Sequence, residues 1–545
     1  MNVLLFSMPD SFEHTPTLTM RMPNGALASL AGNVDPHHRV AVADLVLAQQ
    51  AVAATVLRLM DQCAPDVVGL SVMTFQRATA RRIIDLVRSV RPGVLVVVGG
   101  YDPSLAPEVW ETPGSGADVI VSGEGDITFR DLLRVLERGE SPAGVPGLSY
   151  RDGAAFVRTP PRPVSALASE VKPPRRDARV LAGYTLLGRP IDIVETSRGC
   201  TYDCSFCSII EMRGRNFHVW PIERVIDDIR DARDRGARAV FIVDDNITLN
   251  VARFGALCDA IVEAGLNDLD YVVQGMTSAF ASGGDALAGR MRAAGFRYVF
   301  LGIENVVAGD LAFLRANAKN AERQGGRTVG NATTRAVELL HRHGMLVVGG
   351  LIVGNPDDTR ESIEANLAFA RRYVDWPYIQ HPTPYPGTPM TRDFRARGLV
   401  VSDDVTEYDG TTAVVRTEHM AAEEVEYMRW RAERWMKVRH LPRVVAHDPV
   451  FVLRHGLRML RHTFRGATLR TWLRLEDERA AFRRYKAIRR REREFFPPSR
   501  SDEVRVEPFQ TAPVEAQRRA DARAMSEATV VSARASSVDT PIWPR

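Results

Sequence analysis

The chain has 545 residues, 45% of them hydrophobic and 25% charged, with a formal net charge of +4 at pH 7. This length implies two or more domains, the composition is that of a globular protein in water, and so small a charge excess leaves no general footprint for nucleic acid. The apolar run at the N-terminus is too short for a signal peptide and no stretch approaches the ~20 apolar residues of a membrane span, so the expected compartment is the cytoplasm.

The first 145 residues read as one α/β domain. Residues 1–8 and 40–45 are short apolar strands, and 47–62 is a helix with Val52, Val56, Leu57 and Met60 on its apolar side. Residues 66–72 (DVVGLSV) form a strand without polar alternation, as in a parallel sheet covered on both faces. Helix 78–90, strand 94–98, strand 117–122 and helix 127–138 complete a doubly wound, Rossmann-like alternation. Ligands of such folds sit beyond the carboxyl ends of the strands. Here those ends carry Ser71 and Thr74, then Gly99, Gly100 and Tyr101, then Gly123, Glu124 and Gly125. Glycines let a backbone approach a bulky ligand and hydroxyls bond its polar groups. The alternative is that both glycine clusters are simply tight βα turns.

Residues 146–185, rich in Pro, Arg and Ala, read as a linker. From 186 to 400, strands at 191–196, 239–243, 270–274, 298–303, 346–353 and 376–380 alternate with helices at 221–235, 251–264, 284–294, 334–343 and 359–373. This pattern predicts a partial (β/α)6 barrel of the TIM type, with its site at the carboxyl ends of the strands. The first of these strands delivers Cys200, Cys204 and Cys207. Three thiolates within eight residues are soft ligands for an iron–sulfur cluster, zinc or Cu(I). With no fourth cysteine nearby they point to a [4Fe–4S] cluster with one open iron. Zinc completed by His218, or a disulfide with a spare thiol, are the alternatives, the latter disfavoured in a reducing compartment. Cys63 and Cys258 lie in apolar helical surroundings and read as buried thiols. The other strand ends carry Asp244-Asp245-Asn246, Gln274, Glu304, Gly350 and Gly354, and Tyr385 in the turn 384–389. Asp244 and Glu304 either accept hydrogen bonds from a ligand or cap the following helices. Tyr385 either faces a substrate or fills its turn.

Residues 401–496 read as helical, with helices at 421–440, 448–461 and 476–496. The last is rich in arginine and reads as a solvated helix packed through Phe482, Tyr485, Ile488 and Phe495. The Arg and Leu mixture of 451–475 holds peripheral membrane contact as the second reading. Residues 497–545 are expected to be disordered.

Cys200, Cys204 and Cys207, with Phe206 before the last of them, resemble the signature of the radical S-adenosylmethionine (SAM) superfamily. The preceding order DVVGLSVMT, VVVGGYDP, DVIVSGEGD resembles the cobalamin-binding domain fused to one large radical SAM subfamily, which includes the cobalamin-dependent (class B) methyltransferases. The resemblance covers about residues 1–400. It implies a [4Fe–4S] cluster on the three cysteines and SAM on its open iron, contacted by Phe206, Asp244, Gln274, Glu304, Gly350 and Gly354. It implies cobalamin on Ser71, Thr74, Gly99, Gly100, Tyr101, Gly123, Glu124 and Gly125, with Tyr385 the weakest candidate for substrate contact. No Asp-x-His-x-x-Gly motif follows the first strand. Asp35-Pro36-His37-His38 precedes the second strand and reads as a polar turn, so cobalamin is expected without a histidine ligand from the protein. The implied activity is cleavage of SAM to a 5′-deoxyadenosyl radical and methylation of an unactivated carbon of a small molecule, with an electron donor such as flavodoxin or ferredoxin. The alternatives are an oxidative cyclase or rearrangement enzyme with the same cofactors, and a non-catalytic cobalamin sensor.

Overall fold

The computed structural model describes residues 1–12, 17–164, 167–324 and 327–496; the tail expected to be disordered lies outside them. The N-terminal sheet has five parallel strands, β1 (Asn2–Ser7), β2 (Arg39–Asp44), β3 (Val67–Ser71), β4 (Leu95–Gly99) and β5 (Val119–Val121), in the order β2-β1-β3-β4-β5. Successive side chains point to opposite faces. Leu4, Phe6, Val68, Leu70 and Val98 therefore enter one buried core, and Val3, Leu5, Val67 and Val97 enter the other.

Part of the expected linker belongs to this sheet. β6 (Leu148–Asp152) pairs antiparallel with β5, and β7 (Ala155–Arg158) pairs with β6. Leu148 and Tyr150 enter the core while Gly153, at φ +61°, makes the turn that brings the chain back. Gly153, the first of the two loop residues Gly153-Ala154 between the paired Asp152 and Ala155, is the sequence signal for this hairpin. The helix Gly25–Asn33 is a second addition. Its small residues carry little apolar periodicity, but they let the helix sit close: a Cβ on Gly25 would stand 2.4 Å from Ile193, and one on Gly32 would stand 1.9 Å from the Pro173 carbonyl.

The second sheet is a partial barrel of six parallel strands: β8 (Arg189–Val194), β9 (Ala239–Ile242), β10 (Asp270–Met276), β11 (Phe296–Glu304), β12 (Leu346–Ile352) and β13 (Trp376–Gln380). Helices Ile222–Asp234, Val251–Glu263, Thr277–Ala293, Thr333–Arg342 and Arg360–Tyr373 cover its outer face. The third of these starts seven residues before the expected 284, running through a kink at Gly284 (φ +60°). The free edge of β8 is extended by two short antiparallel strands, Thr185–Leu186 and then Met20–Arg21 from the N-terminal domain.

Beyond the barrel, helix Ala422–His447 runs along β13, where the carboxylate of Glu433 lies 3.4 Å from the Ile379 amide. Helices Pro449–Thr463 and Glu478–Glu492 follow. Phe482 and Tyr485 pack on Trp430, and Phe495 enters one core of the N-terminal sheet. Among the described residues no helix is long and apolar enough to cross a membrane.

Candidate functional site

The site lies where the carboxyl ends of the two sheets face each other, and its centre is the loop after β8. Gly199 opens the loop at φ +89°. A Cβ there would stand 2.3 Å from Oδ1 of Asn216, so only glycine fits. Three consecutive residues after β9 hold the loop. Asp244 is 1% exposed and accepts from the Thr196 amide at 2.6 Å and from the Thr196 and Ser197 hydroxyls at 2.5 Å. Asp245 accepts from the Gly199 amide at 2.8 Å. Asn246, oriented by the Thr248 hydroxyl, points its amide nitrogen at Cys200 Sγ, 3.7 Å away. Ser205 pins the far end, its amide donating to the Leu314 carbonyl and its hydroxyl to that of Phe313.

Cys200, Cys204 and Cys207 lie within one another's electrostatic reach. Burial pushes the Cys204 thiol up to about 12 and the Cys207 thiol to about 11, with the Lys319 ammonium opposing both rises. The three sulfurs do not all lie within 4.8 Å of one another. Among the described residues, the only set of three His, Cys, Asp or Glu ligand atoms within 4.8 Å of one another is His37, His38 and Glu137. A single tetrahedral zinc, with Zn–S near 2.3 Å, would need its thiolates drawn closer than that. Cys63 and Cys258 are buried in separate cores, away from this loop.

The barrel mouth places the other candidates unevenly. Glu304 sits at φ +61°, in the left-handed region that non-glycine residues seldom adopt, and its carboxylate is bonded to the Lys319 ammonium. Lys319 stands 5.7 Å from the Phe206 ring. Sequence reasoning missed Lys319; the one signal is that it is one of only four lysines in a chain otherwise dependent on arginine for positive charge. Gln274 lies behind the loop and donates to the Asp244 carbonyl at 2.5 Å. Gly350 makes room for Phe300, whose ring is 2.9 Å from where a Cβ would be, and Gly354 (φ +100°) for Val425. Asp244, Gln274, Gly350 and Gly354 thus act on protein atoms, while Phe206, Glu304 and Lys319 border the cysteines.

The N-terminal domain meets this mouth through all three expected loops. Met73 and Phe75 pack in one apolar cluster with Phe206 and Tyr385, beside the buried Thr74. The Tyr385 hydroxyl donates to the Tyr408 carbonyl. Gly100 (φ +102°) lies so close to the Ser71–Val72 strand end that a Cβ would meet the Val72 backbone at 2.9 Å. Next to it the Tyr101 phenol is pushed up by burial and by the Asp245 carboxylate, with Arg213 opposing and Cys207 also in reach. Gly123 donates to the Ser104 hydroxyl at 3.0 Å and stands open towards the helix after the cysteines. Asp126, just beyond Glu124 and Gly125, holds Arg198 at 2.6 Å, two residues before Cys200. Between the domains lies a cavity of about 330 Å³ lined by Asn24, Ser29, Tyr101, Glu195, Arg213 and Asp245. His37 and His38 sit at the opposite end of the sheet, where His38 Nδ1 is 3.0 Å from the Met1 amino group. No histidine stands on the three loops among the described residues.

The family model described as "B12 binding domain" matches residues 17–133, and that of the "Radical SAM superfamily" matches residues 194–370, together more than half of the chain. The chain belongs to the B12-binding radical SAM family. It is 28% identical over 427 residues to an uncharacterized methyltransferase of Pyrococcus horikoshii, covering 78% of this chain and 90% of that one. It is 29% identical over 366 residues to hopanoid C-3 methylase of Methylococcus capsulatus, covering 63% and 65%. Other relatives are named anaerobic magnesium-protoporphyrin IX monomethyl ester cyclases. The fold matches that of the methyltransferase TsrM from Kitasatospora setae with cobalamin and [4Fe–4S] cluster bound, at a TM-score of 0.59 and 21% identity over 78% of this chain and 84% of that one. The cofactors of the family are accordingly the [4Fe–4S] cluster, SAM and cobalamin. Three free thiols on one loop fit the first of these, and the three facing loops offer the last a wide, backbone-lined edge.

Proposed function

We propose that this enzyme transfers a methyl group to an unactivated carbon of a small molecule. Cys200, Cys204 and Cys207 would hold the cluster, Phe206, Glu304 and Lys319 would border SAM, and the loops at Ser71–Thr74, Gly99–Tyr101 and Gly123–Gly125 would hold cobalamin. When bound, these groups supply one-electron cleavage of SAM and a transferable methyl group, with the electron drawn from a donor such as flavodoxin or ferredoxin. The chain's own residues prepare the site. Lys319 favours the thiolate forms of Cys204 and Cys207, which a metal centre requires. Asn246 offers an N–H towards the Cys200 sulfur, as partners of metal ligands commonly do. Met73, Phe75, Phe206 and Tyr385 form an apolar wall that excludes water from the mouth.

The observation that carries this reading is the placement of Tyr101, from the N-terminal domain, in one cavity wall with Asp245 of the barrel, with Cys207 within its electrostatic reach. It supports one shared chamber for both cofactor edges. Anaerobic reconstitution with cobalamin and methyl-labelled SAM tests it. The expected products are 5′-deoxyadenosine and S-adenosylhomocysteine together, with label in the product, and Cys204→Ala should abolish the deoxyadenosine. Deoxyadenosine without S-adenosylhomocysteine would point instead to cyclisation or rearrangement. Neither product, with cobalamin still bound, would favour a sensor.

A further inference from the structure

Twelve of the eighteen large hydrophobic side chains that stand exposed among the described residues fall between Trp435 and Leu475. They form stripes. On helix Pro449–Thr463, Val450, Leu453, Leu457 and Leu460 recur at helical spacing on one side, with Leu453 87% and Leu457 85% exposed. The opposite side holds the molecule, with Phe451 buried and Asp448, before the helix, paired to Arg189 at 2.8 Å. The following segment adds Leu469, Trp472, Leu473 and Leu475, and the second half of the preceding helix adds Trp435 and Leu441. A soluble surface rarely leaves so much apolar area together without a use for it.

The charge around these stripes names the occupant. Residues 435–475 contain nine lysines and arginines and a single acid, Asp448, which is buried. Arg454, Arg458, Arg461, Arg470 and Arg474 are exposed and form no ion pair among the described residues. Leucine and tryptophan flanked by arginine suit the boundary between the headgroups and acyl chains of an anionic bilayer. A second copy of this surface would set arginine against arginine. Residues 497–545 carry equal numbers of acidic and basic side chains, so they hold no acidic surplus to neutralise the face. We infer that the exposed face of residues 435–475 docks the enzyme on anionic phospholipid membranes, lying in the interface without crossing it.

Co-sedimentation of the full-length protein with phosphatidylcholine vesicles, with and without phosphatidylglycerol, tests this. Binding to the anionic vesicles should exceed that to neutral ones by about tenfold and fall with added salt. Leu453→Asp with Leu457→Asp should lower it by about tenfold, while the circular dichroism spectrum stays unchanged because both side chains face solvent. Replacing Arg454, Arg458 and Arg461 by Gln should weaken binding and flatten its salt dependence. The inference is overturned if the protein ignores anionic vesicles, binds neutral ones equally well, or binds undiminished with both aspartates in place. It is equally overturned if the aspartates dissolve a dimer in a protein that ignores vesicles, which would assign the face to a second copy.

Discussion

Lys319 acts electrostatically on two of the three cysteine thiols; among the described residues Glu304 is its ion-pair partner, and most of its surface is withdrawn from water. A lysine ammonium, compact and strongly hydrated in water, is poorly tolerated there without a partner. Glu304→Gln therefore leaves a buried cation unpaired, and should cost about 3 kcal/mol, read as a lowered denaturation midpoint of the apo-protein. Adding Lys319→Met should recover most of the loss, because the pair then disappears together. The same scale shows what a sequence can hide. Asp244 stands at a strand end, where a ligand contact is a fair expectation. Whether its side chain turns to the mouth or back under the loop depends on Thr196 and Ser197, nearly fifty positions away, whose pairing no local pattern encodes. Cysteine spacing, by contrast, is itself local, and was legible at once.

Among the elements, the loop after β12 carries a second consequence of burial. Its Asp358 accepts the amides of Gly354 and Asn355 at 2.8 and 2.9 Å. Asp310, in helix Ala308–Phe313, lies against it, and burial together with the Asp358 carboxylate raises Asp310 from 3.8 to about 7. The folded protein thus keeps a proton that the unfolded chain releases. Stability from this pair is full below about pH 4 and is lost as the pH rises towards 7. Asp310→Asn, neutral throughout, should flatten that part of the stability profile, as followed by thermal melts across the range. Elements of this kind were mostly visible beforehand. Buried parallel strands announce themselves as unbroken apolar runs, and barrel helices by their periodicity. Helix Gly25–Asn33 did not, since its composition serves close approach rather than an apolar stripe.

For the whole molecule, the C-terminal helix acts as a strap. Arg489 donates to Thr412 at 2.8 Å and, with Arg493, grips Asp409. Arg82 of the N-terminal domain pairs with Glu494 at 2.6 Å and covers the Phe496 ring. The expectation of a helix packed through Phe482, Tyr485 and Phe495 captured its apolar side. That two of its arginines turn inward depends on Asp409, a residue with no sequence motif to mark it. Asp409→Asn removes the carboxylate that Arg489 and Arg493 share and leaves Arg489 with Glu426, 3.9 Å away, at a cost of about 3 kcal/mol. The strap should then open more often, so limited trypsin digestion should cut within residues 478–496 well before the parent protein is cleaved there.

The two-residue strand Met20–Arg21 gives the outer edge of the barrel sheet to the N-terminal half of the chain. A designer who exchanges that half for its counterpart in a relative would therefore also be exchanging a piece of the barrel. The graft has to carry its own match for Thr185–Leu186, or the catalytic half inherits a frayed border. Modular as the two family models make the chain look, the unit that can be transplanted is the pair.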